Sequence, residues 1–183
     1  MLRLRSLTAS ERGTTITTMP QYVSARYSEQ PRYLRKTLRE VAHRIEELAV
    51  QLSEEEARER IPEDEWCVTE IVGFLRDSER EDLATINAMI FRDGAPIEER
   101  HAQYGPAEHG YRDRHLDELM WDFTSLRDET LWTLRSADGL WHREGVHPFR
   151  GRVSLTTWVA EINERDLDVM WRIGRIVGRL RAR

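Results

Sequence analysis

The chain has 183 residues, 39% of them hydrophobic and 33% charged, with 28 basic residues set against 33 acidic ones and a formal net charge of −5. That length suits one good core and is short for two ordinary domains. The acidic balance, without a long block of like charge, argues against nucleic acid as a partner.

Cys67 is the only cysteine. It excludes an intrachain disulfide and a thiolate zinc cluster built from this chain alone, and a cytoplasmic setting is expected. No run approaches the roughly 20 apolar residues of a membrane span, so no membrane partner is expected. The opening "MLRLRSLTASERGTTITTMP" lacks the apolar centre of a secretory signal. Residues 1–27 read as a disordered tail, or as upstream sequence with the true start at Met19. A Ser/Thr/Arg-rich transit peptide is the less favoured reading.

Helical patterning begins near Ser28. In "SEQPRYLRKTLREVAHRIEELAVQL", Ser28 is a candidate cap and Pro31 lies in the first turn. Leu34, Leu38, Val41, Ile45, Leu48 and Leu52 then recur every three or four residues, the spacing of a long amphipathic helix. "SEEEARERIPEDEW" opens with Ser53 and Glu56, a capping-box pair for a short helix that Pro62 ends. A second long helix is predicted from about Val68 to Phe91, with Val68, Ile71, Val72, Leu75, Ile86 and Ile90 inward.

"RDGAPIEERHAQYGPAEHGYRD" is polar, carries glycines and two prolines, and has no period. A connection of about 20 residues is long inside a compact domain, and in a bundle it implies a crossover from one end to the other. A third helix is predicted from about Leu116 to Arg135, burying Leu119, Met120, Phe123, Leu126, Leu131 and Trp132. "GLWHREGVHPFRGRVS" is a turn-rich excursion with room for a short hairpin. Ser154 caps the last helix, which runs to about Leu180 and ends among arginines that suit a helix C-terminus. The fold class is therefore all-α: a four-helix bundle with a long connection between its second and third long helices, occupying residues 28–183.

Two segments resemble the DinB-like proteins. "PEDEWCVTEIVGFLRDSE", residues 62–79, is similar to that family's entrance into the second helix, and "HPFRGRVSLTTWVAEINERDLDVMWRI", residues 147–173, to its passage into the fourth. The resemblance implies an up-down-down-up topology, a homodimer, and a divalent metal, often zinc or nickel, held by one histidine from the second helix and two, four residues apart, from the fourth. It also implies thiol S-transferase, thiol-dependent isomerase or hydrolytic chemistry at an open metal position.

This chain departs from that pattern at every ligand position. The family's first histidine falls at Phe74, and the other two fall at Ile162 and Asp166. Two of the three have no lone pair to offer and one carboxylate does not hold zinc, so neither metal nor cofactor is expected. His101, His109, His115, His142 and His147 match no common ligand spacing, and His43 reads as a solvated side chain. Cys67 stands where the family has a capping serine, with Glu70 in the box position. It is either a helix-start thiol of depressed pKa or a small cap substitute, the second being preferred.

Glu70, Ser78, Trp158 and Asp166 are the candidates for a residual pocket, while Trp66, Trp158 and Trp171 suit either a pocket or the core. Phe74 and Ile162 are expected to pack on each other. Asp166 interrupts the apolar stripe of the last helix, and a buried lone carboxylate is costly, so an arginine partner is expected among Arg80, Arg150 and Arg152. Three function classes follow, in order: a metal-free protein binding an unknown small molecule or partner, a thiol-dependent transferase or hydrolase, and a bundle kept for dimerisation.

Overall fold

The structure is a computed structural model, described here for residues 30–98 and 109–182. The proposed cap Ser28, the tail before it, His101 and the middle of the long connection lie outside the described residues.

Helix α1, Pro31–Ala49, starts on an extended Gln30 with proline in its first turn, where the missing N–H is not needed. It buries Leu34, Leu38, Val41, Ala42, Ile45 and Ala49 along one stripe. Helix α2, Glu54–Ala57, carries the expected capping box: Glu56 N donates to Ser53 Oγ (3.2 Å) and Ser53 N donates to Glu56 Oε2 (2.8 Å). It ends at Arg58, well before Pro62, and the Arg58 guanidinium donates to the carbonyls of Arg112 and Arg114, each at 3.0 Å. Helix α3 spans Val68–Phe91, as its period predicts. A single 3-10 turn, Tyr111–Asp113, precedes helix α4, Leu116–Ser136. Helix α5, Leu155–Arg181, begins at Ser154, whose hydroxyl accepts from Thr157 N at 3.1 Å.

The chain also forms a small sheet. Strand β1, Ala95–Pro96, pairs in parallel with β2, Glu144–His147, which pairs antiparallel with β3, Gly151–Ser154. The β2–β3 hairpin is the one its glycines and proline suggest, and Gly151 supplies the left-handed turn residue (φ 73°). The bundle is thus not purely helical.

Helix directions follow from side-chain contacts at opposite ends. Asn163 reaches the Leu34 carbonyl and Arg181 the Gln51 carbonyl, so α1 and α5 run parallel. Arg76 meets Asp122 and Glu79 meets Arg127, so α3 and α4 run parallel. Arg165 meets Asp82 while Arg172 meets Asp64, just before α3, so α5 runs against α3. The order is up-down-down-up across α1, α3, α4 and α5.

The core is divided. One apolar part includes Val41, Ile45, Leu75, Phe123 and Val169, and the other includes Leu38, Ile86, Leu134 and Ile162. Between these two parts the buried residues are mostly polar: Ser78, Glu79 and Asp82 on α3, Arg127 and Thr130 on α4, and Asn163 and Asp166 on α5. Leu126 and Leu131 of α4 are only half-buried. Trp132, expected inside, is 69% exposed, and Trp171 is 69% exposed as well. Both sit at one edge of a helical stripe, where a shift of one position in 3.6 moves a side chain to solvent.

Candidate functional site: a buried ion cluster between two halves of the core

The break in the core is filled by charges. Helix α3 supplies Glu79 and Asp82, three residues apart and so on one face. Helix α4 supplies Arg127 and Thr130, and α5 supplies Arg165 and Asp166. All but Arg165 are buried residues, and Arg165 is partly covered.

Arg127 is the centre of the set. Its Nε donates to Glu79 Oε1 at 3.0 Å and its Nη2 to Glu79 Oε2 at 2.6 Å, a two-pronged pair that suits the planar guanidinium. Nη2 also donates to Asp166 Oδ2 at 2.6 Å, and Nη1 donates to the Leu38 carbonyl of α1 at 3.0 Å. The Phe123 ring lies 5.1 Å from the guanidinium carbon. Thr130 Oγ1 donates to Glu79 Oε1 at 2.6 Å.

Arg165 closes the other side. Its Nε and Nη2 donate to Asp166 Oδ1 at 3.1 and 2.9 Å, and its Nη1 donates to Asp82. Three carboxylates against two guanidiniums leave one formal negative charge.

Electrostatics follow from this geometry. Burial would raise the Asp166 pKa, but the attraction and hydrogen bonds of Arg127 and Arg165 outweigh it and hold the carboxyl below its ordinary range. Burial alone would lower both arginine pKa values, and the carboxylates around them raise them instead. Asp166, Arg127 and Arg165 are therefore all held in their charged forms. Both oxygens of Glu79 and both of Asp166 already accept hydrogen bonds. Neither is a free general base.

The expected arginine partner of Asp166 exists, with different residues in the role. Arg80 pairs with Asp77, Arg150 with Glu161 and Arg152 with Glu144, all at the surface. Arg165 escaped notice because neighbours in sequence do not face each other on a helix, yet its side chain is long enough to fold back. Arg127 lies at core spacing in α4, four after Phe123 and seven before Leu134. That interruption is the signal that could have identified it.

The other sequence candidates are dispersed. Glu70 is buried at the start of α3, where it accepts from Cys67 N at 2.8 Å and from Arg60 at 2.6 Å; burial opposes its ionisation and Arg60 restores it, lowering its pKa. Ser78 is buried beside Glu79 in sequence, and Trp158 belongs to the same apolar part as Ile162. Phe74 meets Trp66 edge-on, with ring centroids 5.5 Å apart, and Trp66 packs on the other part. The expected Phe74–Ile162 pairing is replaced by this division. The α3 residues level with Asp166 are Glu79 and Asp82, which lie about 7–12 Å further along the helix than Phe74 at 1.5 Å per residue.

Cys67 is fully buried, and desolvation first, then the Glu70 carboxylate, push its thiol up to about 11. Burial and the raised pKa both disfavour the helix-start nucleophile and agree with the small cap substitute. His43 stands exposed beside Glu46 and Glu47, His115 faces Glu54, His109 stacks on Tyr111 and His147 packs against Phe149. Among the described residues, no three His, Cys, Asp or Glu side chains are placed to share a metal ion.

The metal implied by the resemblance does not fit the residues present. Phe74 and Ile162 have no donor atoms, the oxygens of Asp166 are occupied, and two permanent cations that accept nothing stand among the carboxylates. No chemical step is assigned to a metal here.

One cavity reaches the cluster from outside. It lies between α1 and α4, has a volume of about 480 Å³, and is lined by Arg39, His43, Glu46, Thr124 and Leu131 with the buried Arg127 at its floor.

No family profile matches the chain, and no curated protein matches it. Among solved structures it is similar to YfiT from Bacillus subtilis, described as a probable metal-dependent hydrolase with an unusual four-helix bundle topology. The TM-score is 0.72 at 14% sequence identity, over 87% of this chain and 91% of that one. The fold of this chain is therefore that four-helix bundle, with an ion cluster across its middle.

Proposed function

We propose that this chain is a DinB-like bundle that works without a metal and binds a small molecule. The observation that carries the reading is the double capture of Asp166 by Arg127 and Arg165, with Glu79 and Asp82 completing the set. Residues so fully engaged hold a structure together and have no capacity left for ligating a cation. The cavity between α1 and α4 offers the space for a ligand. Cytoplasmic residence and a homodimer belong to the same reading and rest on the lone cysteine and on the resemblance.

Elemental analysis of tag-free protein after dialysis tests it. The expected outcome is no stoichiometric zinc or nickel, and one equivalent per chain would overturn the reading. The second reading, a thiol-dependent transferase or hydrolase, is supported by the fold likeness to YfiT and would be favoured by that same result. For the third, a purely dimeric scaffold, a thermal-shift screen discriminates. A ligand at about 100 times its dissociation constant adds about 2.7 kcal/mol to stability, whereas a scaffold gives no shift with any compound.

A further inference from the structure

Two tryptophans on α4 are nearly equally exposed, Trp121 at 70% and Trp132 at 69%. They lie eleven residues apart, about three turns, and so share one face of the helix. Their surroundings have opposite charge. Trp121 borders a cleft of about 490 Å³ lined by Arg114 and by three carboxylates, Asp117, Glu118 and Asp122. Trp132 borders a trough of about 470 Å³ between the first half of α1 and the last half of α4. Five cations line that trough, Arg32, Arg35, Lys36, Arg39 and Arg135, against one carboxylate, Asp128.

We propose that this trough binds an organic anion that carries a flat ring. The inference deepens the small-molecule reading and rests on it. Arg35 is already held by Asp138 and the Leu134 carbonyl, and Arg39 has Glu40 at 3.5 Å. Lys36 and Arg135 make no ion pair among the described residues, so their charges are left for a ligand. A carboxylate or phosphate between these two cations, with its ring on the Trp132 indole, meets both requirements of the site at once. Clefts of this volume accommodate ordinary small ligands. The trough shares Arg39, Asp128 and Leu131 with the cavity over Arg127, so the two spaces adjoin.

The cleft at Trp121 serves as an internal control. It offers a similar volume and an equally exposed indole with the charge reversed, and an anion placed there would face three carboxylates. Ring stacking alone would make the two tryptophans equivalent. Charge separates them.

The test is calorimetric titration of the full, tag-free chain with 2-naphthoate, with its uncharged amide naphthalene-2-carboxamide, and with acetate. Expected is saturable one-to-one binding of 2-naphthoate, with amide and acetate each about ten-fold weaker or more, and weakening by added salt. Lys36→Gln with Arg135→Gln, and separately Trp132→Ala, should weaken 2-naphthoate by about five-fold or more, while Trp121→Ala leaves it unchanged. All these side chains are at the surface, so circular dichroism and melting should match the parent. Equal binding of acid and amide would overturn the inference, as would loss in Trp121→Ala alone or no saturable binding. It is also overturned if the double variant leaves 2-naphthoate unaffected and instead dissociates a dimer in sedimentation, which would make the trough a contact between copies. Metal content is read separately, so failure here and failure of the metal-free reading are distinguishable.

Discussion

Arg127 and Glu79 form a two-pronged ion pair inside the bundle, with contacts of 3.0 and 2.6 Å and side chains only 2% and 0% exposed. Removing one partner of a buried pair leaves the other charge without compensation, at a cost of about 3–5 kcal/mol. Arg127→Met should lose that much in urea denaturation, and Glu79→Met a similar amount. The double variant removes one charge of each sign and should be more stable than either single one. Losses that simply add would show that the pair is not coupled as its geometry indicates.

The acid limb of stability has a defined sign. The Asp166 carboxyl is held below its ordinary range when folded, so it releases its proton more readily in the native chain than in the unfolded one. Its contribution is complete above the unfolded value of about 3.9 and disappears as pH falls through the lower folded value. Asp64 has the same sign: burial opposes its ionisation, and Arg172 and Arg175 overcome it. Denaturation curves from pH 7 downward should stay level until the ordinary carboxylate range and fall below it. Asp166→Asn should be less stable at pH 7 and flatter below pH 4. An unchanged acid slope would contradict the assignment.

Gly73 decides between two opposing effects. Alanine favours a helix interior over glycine by about 0.8–1 kcal/mol. A Cβ here would lie 2.4 Å from Cγ and 2.8 Å from Cβ of Tyr111, whose hydroxyl donates to Asp77 at 2.6 Å. Those atoms belong to the stiff base of the side chain, and overpacking costs about 1–3 kcal/mol. The clash should win, and Gly73→Ala should melt lower. Adding Tyr111→Ala should recover the helix benefit. A rise in melting temperature in the single variant would mean that the 3-10 turn does not pack on α3 this way.

With its thiol at about 11, Cys67 holds about one part in a thousand of thiolate at pH 8, besides being buried. Iodoacetamide should label the native chain far more slowly than the urea-unfolded one. Cys67→Ser should preserve the helix start, since Glu70 still accepts from the backbone N–H. Fast native labelling would revive the reactive-thiol reading.

Apolar period was enough to place α3 and α4 to within a residue, and Ser53, Glu56 and Ser154 announced their caps because those contacts are local. The small sheet was only half legible. The β2–β3 turn is written in glycine and proline, whereas β1 pairs with residues 50 positions away, across the long connection and α4. Asp166 stood out as one charge in an apolar stripe, but its partners did not, because Glu79, Asp82 and Arg127 lie on other helices and no local pattern ties them to it. Each interrupts its own stripe near mid-length, and the interruptions become meaningful only when aligned in space. The placing of Trp132 failed for the opposite reason: an aromatic at nearly core spacing still lies outside when the adjoining helix leaves a trough beside it.

The ion cluster also bears on how the chain finds one arrangement of its helices. Through four hydrogen bonds Arg127 ties α1 at the Leu38 carbonyl, α3 at Glu79 and α5 at Asp166, while its guanidinium lies over the Phe123 ring of its own helix. Apolar stripes are forgiving and would tolerate a helix slid by a turn or exchanged with its neighbour. A guanidinium that must meet three separate helices is not, because each wrong arrangement strands a charge away from water. One residue thus gives the bundle a means of rejecting its own alternatives.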